Sequence, residues 1–286
     1  MKIDKINRKG IVTNTFLSPL LEIAKVPEEL FIKGLLPNKK LPVVAIIGTR
    51  RPSSYGKEIT HTLAYELAQK GVVIVSGLAT GIDTVAHTAA LEAGGITVAV
   101  VAQGLHTIYP AANKQLAKRI TQNGAIISEY DSGVEALPYH FLARNRLVAG
   151  IADALIVTEA ALKSGTSSTV AHALEQNKEV FAVPGPITSL LSAGPNRLLQ
   201  DGARVVLTAD DVLRVIAPEL VAGQKQFVFG NTPAETAIIT LIQQGVRDGD
   251  ELLEKSKLQP SDFSQALTML ELNGTVRPIG GNRWTI

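Results

Sequence analysis

Short apolar runs recur along most of the chain, and segments compatible with amphipathic helices separate them. Between the first two runs, Ile59, Leu63 and Leu67 recur every four residues, a spacing that places them on one face of a helix. Each run is short and apolar at consecutive positions, which is typical of a strand buried on both faces of a parallel sheet. The pattern predicts an α/β fold, an extended Rossmann-like doubly wound sheet that is mostly parallel. The predicted strands cover residues 43–47, 72–75, 97–101, 125–127, 154–157 and 179–183.

The alternation stops at residues 221–232, a segment with two glycines that we interpret as a linker. Beyond it, apolar residues at helical spacing precede residues 275–286, which contain adjacent glycines and are predicted to form a β-hairpin. The predicted organisation is a short N-terminal lead-in over 1–40, the Rossmann-like domain over 41–220, the linker, and a small domain over 233–286.

Composition narrows the function classes. The 286 residues are 45% hydrophobic and 19% charged, which permits a sizeable core and excludes global disorder. The absence of cysteine excludes disulfides, thiolate metal sites and cysteine nucleophiles. The basic first ten residues are followed by no apolar run of signal-peptide length, and no apolar run is long enough to cross a bilayer. We therefore expect a soluble cytoplasmic protein.

Charge is unevenly distributed although the net charge is only +2. Residues 1–40 hold 8 Lys or Arg and 4 Asp or Glu, residues 41–230 hold 15 of each, and residues 231–286 hold 5 and 7. This balance argues against a broad basic face for polyanions and leaves room for a narrow groove with a few cations.

The loops that follow the predicted strands should carry the function, because ligands of doubly wound sheets bind at the carboxyl ends of the strands. These loops are rich in glycine and hydroxyl residues, and four glycines in them permit close approach of a ligand or a second backbone segment. The four are Gly48, Gly77, Gly81 and Gly104.

The segment that begins with Ser164, Gly165 and Thr166 opens a predicted helix, whose N–H groups suit a phosphate. Ser164 or Thr166 could equally cap that helix without any ligand. The Walker pattern and the G-x-G-x-x-G fingerprint are both missing, so NAD binding and ATP hydrolysis have little support, while a nucleotide phosphate stays open.

Arginines occupy two of the loops. Arg50 and Arg51 directly follow the first predicted strand of the sheet domain, and Arg144 and Arg146 flank Asn145. A guanidinium presents a planar fork to a phosphate, and two such groups on one sheet edge would form a track rather than a single-phosphate pocket. The alternative is a pair of solvated surface arginines.

Aromatic residues lie near these arginines in sequence: Tyr55, next to Ser54, and Phe141. Aromatic stacking combined with neutralisation of the backbone is how proteins hold single-stranded nucleic acid. Core packing of Phe141 is the alternative.

No catalytic or metal constellation is evident. Asp83 and His87 are four residues apart on one helix face, which fits either a base with its orienting group or a helix cap beside a bonded histidine. We favour the cap, because no nucleophile motif accompanies the pair. The other histidines lack metal-ligand spacing, so we predict neither an enzyme nor a metal site nor a cofactor.

Taken together, the loops resemble those of the DprA/Smf family of DNA-processing proteins. The matching segments include GTRRPSSYG (48–56), SGLATGIDTVAH (76–87), FLARNRLVAGIADALIVTEA (141–160) and SGTSSTVAHALEQNKEVFAVPGP (164–186). Tyr109-Pro110 and Ser128-Glu129-Tyr130 match as well. Their order and spacing run through residues 17–215.

The resemblance implies a single-stranded DNA-binding protein, acting as a homodimer, that protects incoming DNA and loads the RecA recombinase during natural transformation or recombination. It assigns the DNA-binding arginine to Arg50 and the stacking aromatic to Phe141. The family's pocket lysine near the phenylalanine is missing, and His140 is the nearest substitute. The resulting candidate DNA contacts are Arg50, Arg51, Ser54, Tyr55, Phe141, Arg144, Asn145, Arg146, Ser164, Gly165 and Thr166.

Residues 233–286 resemble the winged-helix domain of some family members. The segment 261–273 contains no Lys or Arg, so the resemblance favours a protein-interaction or regulatory role over duplex recognition. Two further hypotheses stay open: a nucleotide-binding Rossmann enzyme or sensor related to the phosphoribohydrolases, whose PGGxGT signature is missing here, and a purely structural adaptor.

Overall fold

The computed structural model describes residues 2–222, 230 and 232–285. The chain divides into two compact units, Met1–Val221 and Ala222–Ile286, and each is described by itself. The predicted linker at 221–232 lies mostly outside the described residues. Among the helices in the described ranges, none is long and apolar enough to span a membrane.

The larger unit is built on one nine-stranded sheet with the order β1-β2-β6-β5-β4-β3-β7-β8-β9. Strands β3 to β9 are parallel to one another, whereas β2 pairs antiparallel with β6 and β1 pairs antiparallel with β2. The strands are β1 Ile3–Asn7, β2 Glu29–Gly34, β3 Val43–Ile47, β4 Val73–Ser76, β5 Thr97–Val101, β6 Gly124–Ser128, β7 Ala154–Val157, β8 Glu179–Ala182 and β9 Arg204–Val205.

Helices cover both faces of this sheet. Val43 and Ala45 of β3 pack into the core on one face, and Val44 and Ile46 pack into the core on the other. This double burial explains why the strands are apolar at consecutive positions. The helices are α1 Arg8–Thr13, α2 Ser54–Gln69, α3 Ile82–Glu92, α4 Lys114–Ile120, α5 Pro138–Ile151, α6 Thr166–Glu175, α7 Ala193–Gln200, α8 Ala209–Ile216 and α9 Pro218–Ala222.

The strand order reverses at β3. Strands β4, β5 and β6 lie on one side of it, and β7, β8 and β9 lie on the other. The loops after β3 and β7 therefore leave neighbouring strands toward different helices, and a crevice opens between them. Proteins with doubly wound sheets bind their ligands at such a switch point.

The predicted fold class is confirmed, and each of the six predicted strands agrees with the structure within one residue at either end. The antiparallel strands β1 and β2 lie in the segment predicted as a short lead-in. Strand β2 pairs with β6, with Phe31 opposite Ser128, so the lead-in extends the sheet. Local patterning did not predict this pairing, because it joins residues nearly a hundred positions apart.

In its described residues, the smaller unit contains three helices followed by a two-stranded antiparallel hairpin, in agreement with the predicted winged helix. One face of the third helix packs into the unit's core through Phe263, Ala266, Leu267 and Leu270. The elements are α10 Pro233–Gln243, α11 Gly249–Ser256, α12 Pro260–Leu272, β10 Arg277–Pro278 and β11 Trp284–Thr285.

Candidate nucleic-acid interface

A cavity of about 650 Å³ lies at the carboxyl edge of the sheet, at the switch point between β3 and β7. The loops after β3, β4 and β7 line it together with the beginnings of α5 and α6. It brings together nine of the residues predicted from sequence: Gly48, Arg50, Gly77, Phe141, Arg144, Asn145, Ser164, Gly165 and Thr166.

A cation and two aromatic rings lie side by side at this cavity. The Arg50 guanidinium lies 5.5 Å from the centre of the Phe141 ring, within the range of a cation–π contact. The Tyr109 ring meets the same ring edge-on, at 5.8 Å between centroids. Arg50 and Tyr109 are exposed and Phe141 is half-buried, so all three groups are accessible from the cavity side. This arrangement suits a nucleobase and its phosphate.

The start of α6 forms a second polar feature of the cavity. Gly165 is its N-cap, and within the described residues no side chain caps the helix, so neither Ser164 nor Thr166 takes the capping role considered above. The Ser164 hydroxyl oxygen is buried and has no hydrogen-bond partner in the described part of the chain. The amide of Asn145 approaches the Gly165 carbonyl at 3.5 Å and links α5 to this turn. An uncapped helix start suits an anion.

Arg144 lines the cavity, but its guanidinium is committed to the protein. It is 6% exposed, and it donates to the carbonyls of Gly77, at 2.8 Å, and Val100, which end neighbouring strands. A Cβ at Gly77 would lie 2.5 Å from this guanidinium, so any larger residue there would require Arg144 to shift. Burial lowers the pKa of Arg144, and the nearby carboxylate of Asp83 opposes that shift. The residue braces the edge of the sheet.

Asp83 and His87 do not contact each other through a hydrogen bond in the described structure; each has other partners. The Asp83 carboxylate accepts from the N–H groups of Gly77 and Ala79 at 3.1 and 3.2 Å, and burial raises the pKa of Asp83. His87 Nδ1 lies 2.7 Å from the Thr97 hydroxyl, and burial lowers the pKa of His87 to about 3. The predicted helix cap is wrong, because Gly81 is the N-cap of α3 and Asp83 binds N–H groups that precede the helix. The separate partners of Asp83 and His87 give no support to a catalytic pair either.

Arg146 lies outside the cavity lining and is buried in an ion pair. One of its guanidinium nitrogens donates to both carboxylate oxygens of Glu129, at 2.5 and 2.6 Å. His140, considered above as a substitute for the missing lysine, is also buried. Its Nδ1 donates to the Glu135 carbonyl, and its ring lies 4.1 Å from that of Tyr130.

The other predicted contacts lie along the same loops without lining the cavity. Arg51, Ser54 and Tyr55 are exposed, and the Tyr55 hydroxyl donates to the Pro184 carbonyl at 2.8 Å. Two of the predicted loop glycines, Gly81 and Gly104, also lie outside the lining.

Two residues at this edge were not among the predicted contacts. Tyr109 contacts Phe141, and its occurrence in a Tyr-Pro pair after the third predicted strand was the signal that could have found it. Glu159 is 2% exposed beneath the Arg50 loop, and no local pattern marks it. Among the described residues, no group of three or more His, Asp or Glu could hold a metal ion.

The fold and the cavity define a Rossmann-like α/β protein with a cationic and aromatic site at the switch point of its sheet. Residues 11–217 match the family model of the DNA recombination-mediator protein A, and residues 228–282 match the DprA winged helix domain. The chain belongs to the DprA/Smf family, as its loops predicted.

Curated relatives share this family over most of the chain. The DNA processing protein DprA of Streptococcus pneumoniae is 45% identical over 204 residues, which cover 71% of this chain and 72% of that protein. The Bacillus subtilis DprA is 40% identical over 208 residues, covering 72% and 70%. A putative DprA of Mycobacterium tuberculosis is 39% identical over 254 residues, covering 85% of this chain and 64% of that protein.

Solved structures share the fold. The X-ray structure of the Streptococcus pneumoniae DprA has a TM-score of 0.70 and 40% identity, covering 76% of this chain and 75% of that one. The Helicobacter pylori DprA, whose structure was described for its unique single-stranded DNA binding mode, has a TM-score of 0.66 and 34% identity, covering 77% and 97%.

Proposed function

We propose that this protein binds single-stranded DNA in the cavity at the switch point. The observation that carries the proposal is the Arg50 guanidinium beside the accessible Phe141 ring, within one cavity with the uncapped start of α6. The single-stranded DNA binding described for the Helicobacter pylori relative supports it.

The proposed contacts divide the nucleotide between two surfaces. A phosphate lies between the Arg50 guanidinium and the N–H groups at the start of α6, with the unpartnered Ser164 hydroxyl as a further donor. A base stacks on Phe141 and Tyr109. These contacts are to backbone and ring faces, so we propose binding with little sequence preference and no chemical step.

Direct binding measurements test this function against the nucleotide alternative. Fluorescence anisotropy would compare an oligo-dT strand, a duplex and mononucleotides at two salt concentrations. We expect the single strand to bind best and its affinity to fall with salt, since released counterions drive phosphate contacts. Preferential binding of a mononucleotide would instead favour the Rossmann enzyme or sensor, and no binding of any probe would favour a structural adaptor.

We further propose that the protein acts as a homodimer that protects incoming DNA and loads RecA recombinase. Exposed apolar side chains in the segment after β8, and in and after β9, support a self-association surface: Ile187, Leu190, Val205 and Leu207 are 50–95% exposed. Light scattering after size exclusion would test the dimer, and a Leu190→Glu variant should shift it toward monomer. Nucleation of RecA filaments on coated single strands would test loading.

For the winged-helix unit we propose a protein-interaction or regulatory role. Helix α12 contains no Lys or Arg, and its Met269 and Leu272 are 43% and 75% exposed. Such a face is poorly suited to the charged backbone of a duplex and better suited to an apolar protein surface. Strong duplex binding that depends on this unit would contradict the proposal.

A further inference from the structure

We propose that Glu159 is a positioning residue of the interface, which holds the loop from Thr49 to Ser53 so that Arg50 faces Phe141. This inference rests on the proposed single-stranded DNA binding. Glu159 follows β7 across the switch point and lies outside the cavity lining, so it acts through the loop rather than on DNA.

Glu159 holds both ends of the loop that carries Arg50. Its carbonyl accepts from the Thr49 N–H at 2.6 Å, immediately before the arginine. Its carboxylate accepts from the Ser53 N–H at 2.9 Å and from the Ser53 hydroxyl at 2.6 Å, immediately before α2. One residue just beyond the neighbouring strand β7 therefore fixes the loop at two points four residues apart.

The site is built to admit this carboxylate. Glu159 is 2% exposed, and a Cβ at Gly56 would lie 2.1 Å from its Oε2. Ser53 is the N-cap of α2, and its hydroxyl also accepts from the Gly56 N–H at 3.1 Å. The carboxylate thus lies at the positive end of α2, where the helix dipole favours it.

A negative charge at Glu159 would repel the phosphates of DNA, so a direct electrostatic role and a positioning role can be distinguished. No Lys, Arg or His within the described ranges pairs with it, so it remains a negative charge near the proposed phosphate path. Through Coulomb repulsion alone, neutralising it would strengthen DNA binding. Through its contacts with the loop, neutralising it would loosen Arg50 and weaken binding. The two roles therefore predict opposite changes in DNA affinity when Glu159 is neutralised.

The isosteric variant Glu159→Gln separates them. We expect oligo-dT affinity to fall roughly threefold to thirtyfold, the range for coupled members of one hydrogen-bond network. The salt dependence should fall with it, because the lost contact is that of Arg50 with a phosphate. Glu92→Gln is the matched control: it removes one carboxylate at the end of α3, away from the carboxyl edge, and should leave affinity unchanged.

A double-mutant cycle with Arg50→Ala tests whether Glu159 influences oligo-dT affinity through Arg50. If Glu159 acts through Arg50, Glu159→Gln should change affinity less than twofold in the Arg50→Ala background. Ser53→Ala should reproduce the weakening of Glu159→Gln, and Ser53→Thr, which keeps the hydroxyl, should retain affinity. Urea unfolding of each variant confirms that folded protein is compared.

Tighter binding by folded Glu159→Gln, or an equal loss with and without Arg50, would overturn the positioning role. Failure of the proposed function is a different result, because the wild-type protein itself would then not bind oligo-dT. A Glu159→Gln variant that is less stable but binds with unchanged affinity and salt dependence would also overturn the proposal, since Glu159 would then only support the fold.

Discussion

Two pairs of arginines lie at the same edge of the sheet, and the structure uses them in different ways. Arg50 and Arg51, in the loop after β3, are exposed. Arg144 and Arg146, in α5, are 6% and 7% exposed, and their guanidinium groups bind carbonyls or a carboxylate of the protein itself. The same residue type thus serves as a candidate DNA contact in the loop and as an internal brace in the helix.

The difference follows from what each guanidinium can reach. A buried cation must find acceptors inside the protein, because its desolvation is otherwise uncompensated. The helix directs Arg144 toward the carbonyls of Gly77 and Val100, and a Cβ at Gly77 would displace its guanidinium. The loop directs Arg50 toward solvent and the Phe141 ring, where its donors stay available to a ligand.

The largest expected effect is on stability. Arg144→Ala should lower the free energy of unfolding by about 3–5 kcal/mol, because it leaves the carbonyls of Gly77 and Val100 without their buried donor, at about 1–3 kcal/mol each, and removes the cation near the Asp83 carboxylate. Urea unfolding followed by circular dichroism measures it. Arg197→Ala, which breaks an exposed pair with Asp201, is the control and should cost less than about 1 kcal/mol. If Arg144→Ala lowered the free energy of unfolding no more than the control does, Arg144 would not stabilise the edge of the sheet.

Arg146→Ala should also destabilise the fold, by about 1–3 kcal/mol. The loss should be smaller than for Arg144, because the Glu129 side chain left behind is 23% exposed and regains some hydration. Adding Glu129→Gln should restore part of the lost stability, which the same unfolding assay detects. We expect little change in oligo-dT affinity at a temperature where the variant is folded. A loss of affinity comparable to that of Arg50→Ala would instead support the sequence-based prediction that Arg146 contacts DNA.

Arg50→Ala should act on binding rather than on stability. The loss of a charged hydrogen bond should weaken oligo-dT binding by about 1–3 kcal/mol, and the salt dependence should drop by about one phosphate contact. Anisotropy titrations at several salt concentrations measure both, and urea unfolding should show a stability close to wild type. Unchanged affinity in folded protein would contradict the assignment of Arg50.

The smallest effect is expected for Arg51→Ala. Arg51 is exposed and outside the cavity lining, so its charge is screened and its removal should weaken oligo-dT binding by less than about 1 kcal/mol. The measurement is the same titration, made beside Arg50→Ala. If the two variants lose equal affinity, the DNA path extends beyond the cavity along the loop.

Much of the sheet could be predicted because burial on both faces leaves an unambiguous local pattern. Strand β3 is apolar at five consecutive positions, and its five residues are buried. Strand β1 has no such pattern, because none of its five residues is buried. Its pairing with β2 is what defines it. The two-residue strand β9 is too short for any pattern at all. Non-local pairing therefore decided the edges of the sheet.

The sequence predicted where the candidate site lies better than it predicted the role of each residue in it. Glycine and hydroxyl-rich loops after parallel strands pointed to the carboxyl edge, and nine predicted residues do line one cavity there. Exposed Arg50 and buried Arg144 look equally available in sequence, because burial depends on what packs around a side chain. The pairing of Arg146 with Glu129 joins helix α5 to the loop after β6, seventeen residues away, and no spacing rule indicates it.

By itself, the sequence determined the fold class, the family and the edge of the sheet where the candidate site lies. Short-range periodicity and loop composition carry that information, because each depends on residues close together in the chain. The tertiary structure decided which arginines stay free, which carboxylate holds the Arg50 loop, and which aromatic ring lies beside that arginine. Those roles depend on contacts across the switch point, such as that between Ser53 and Glu159, which form only when the strands assemble.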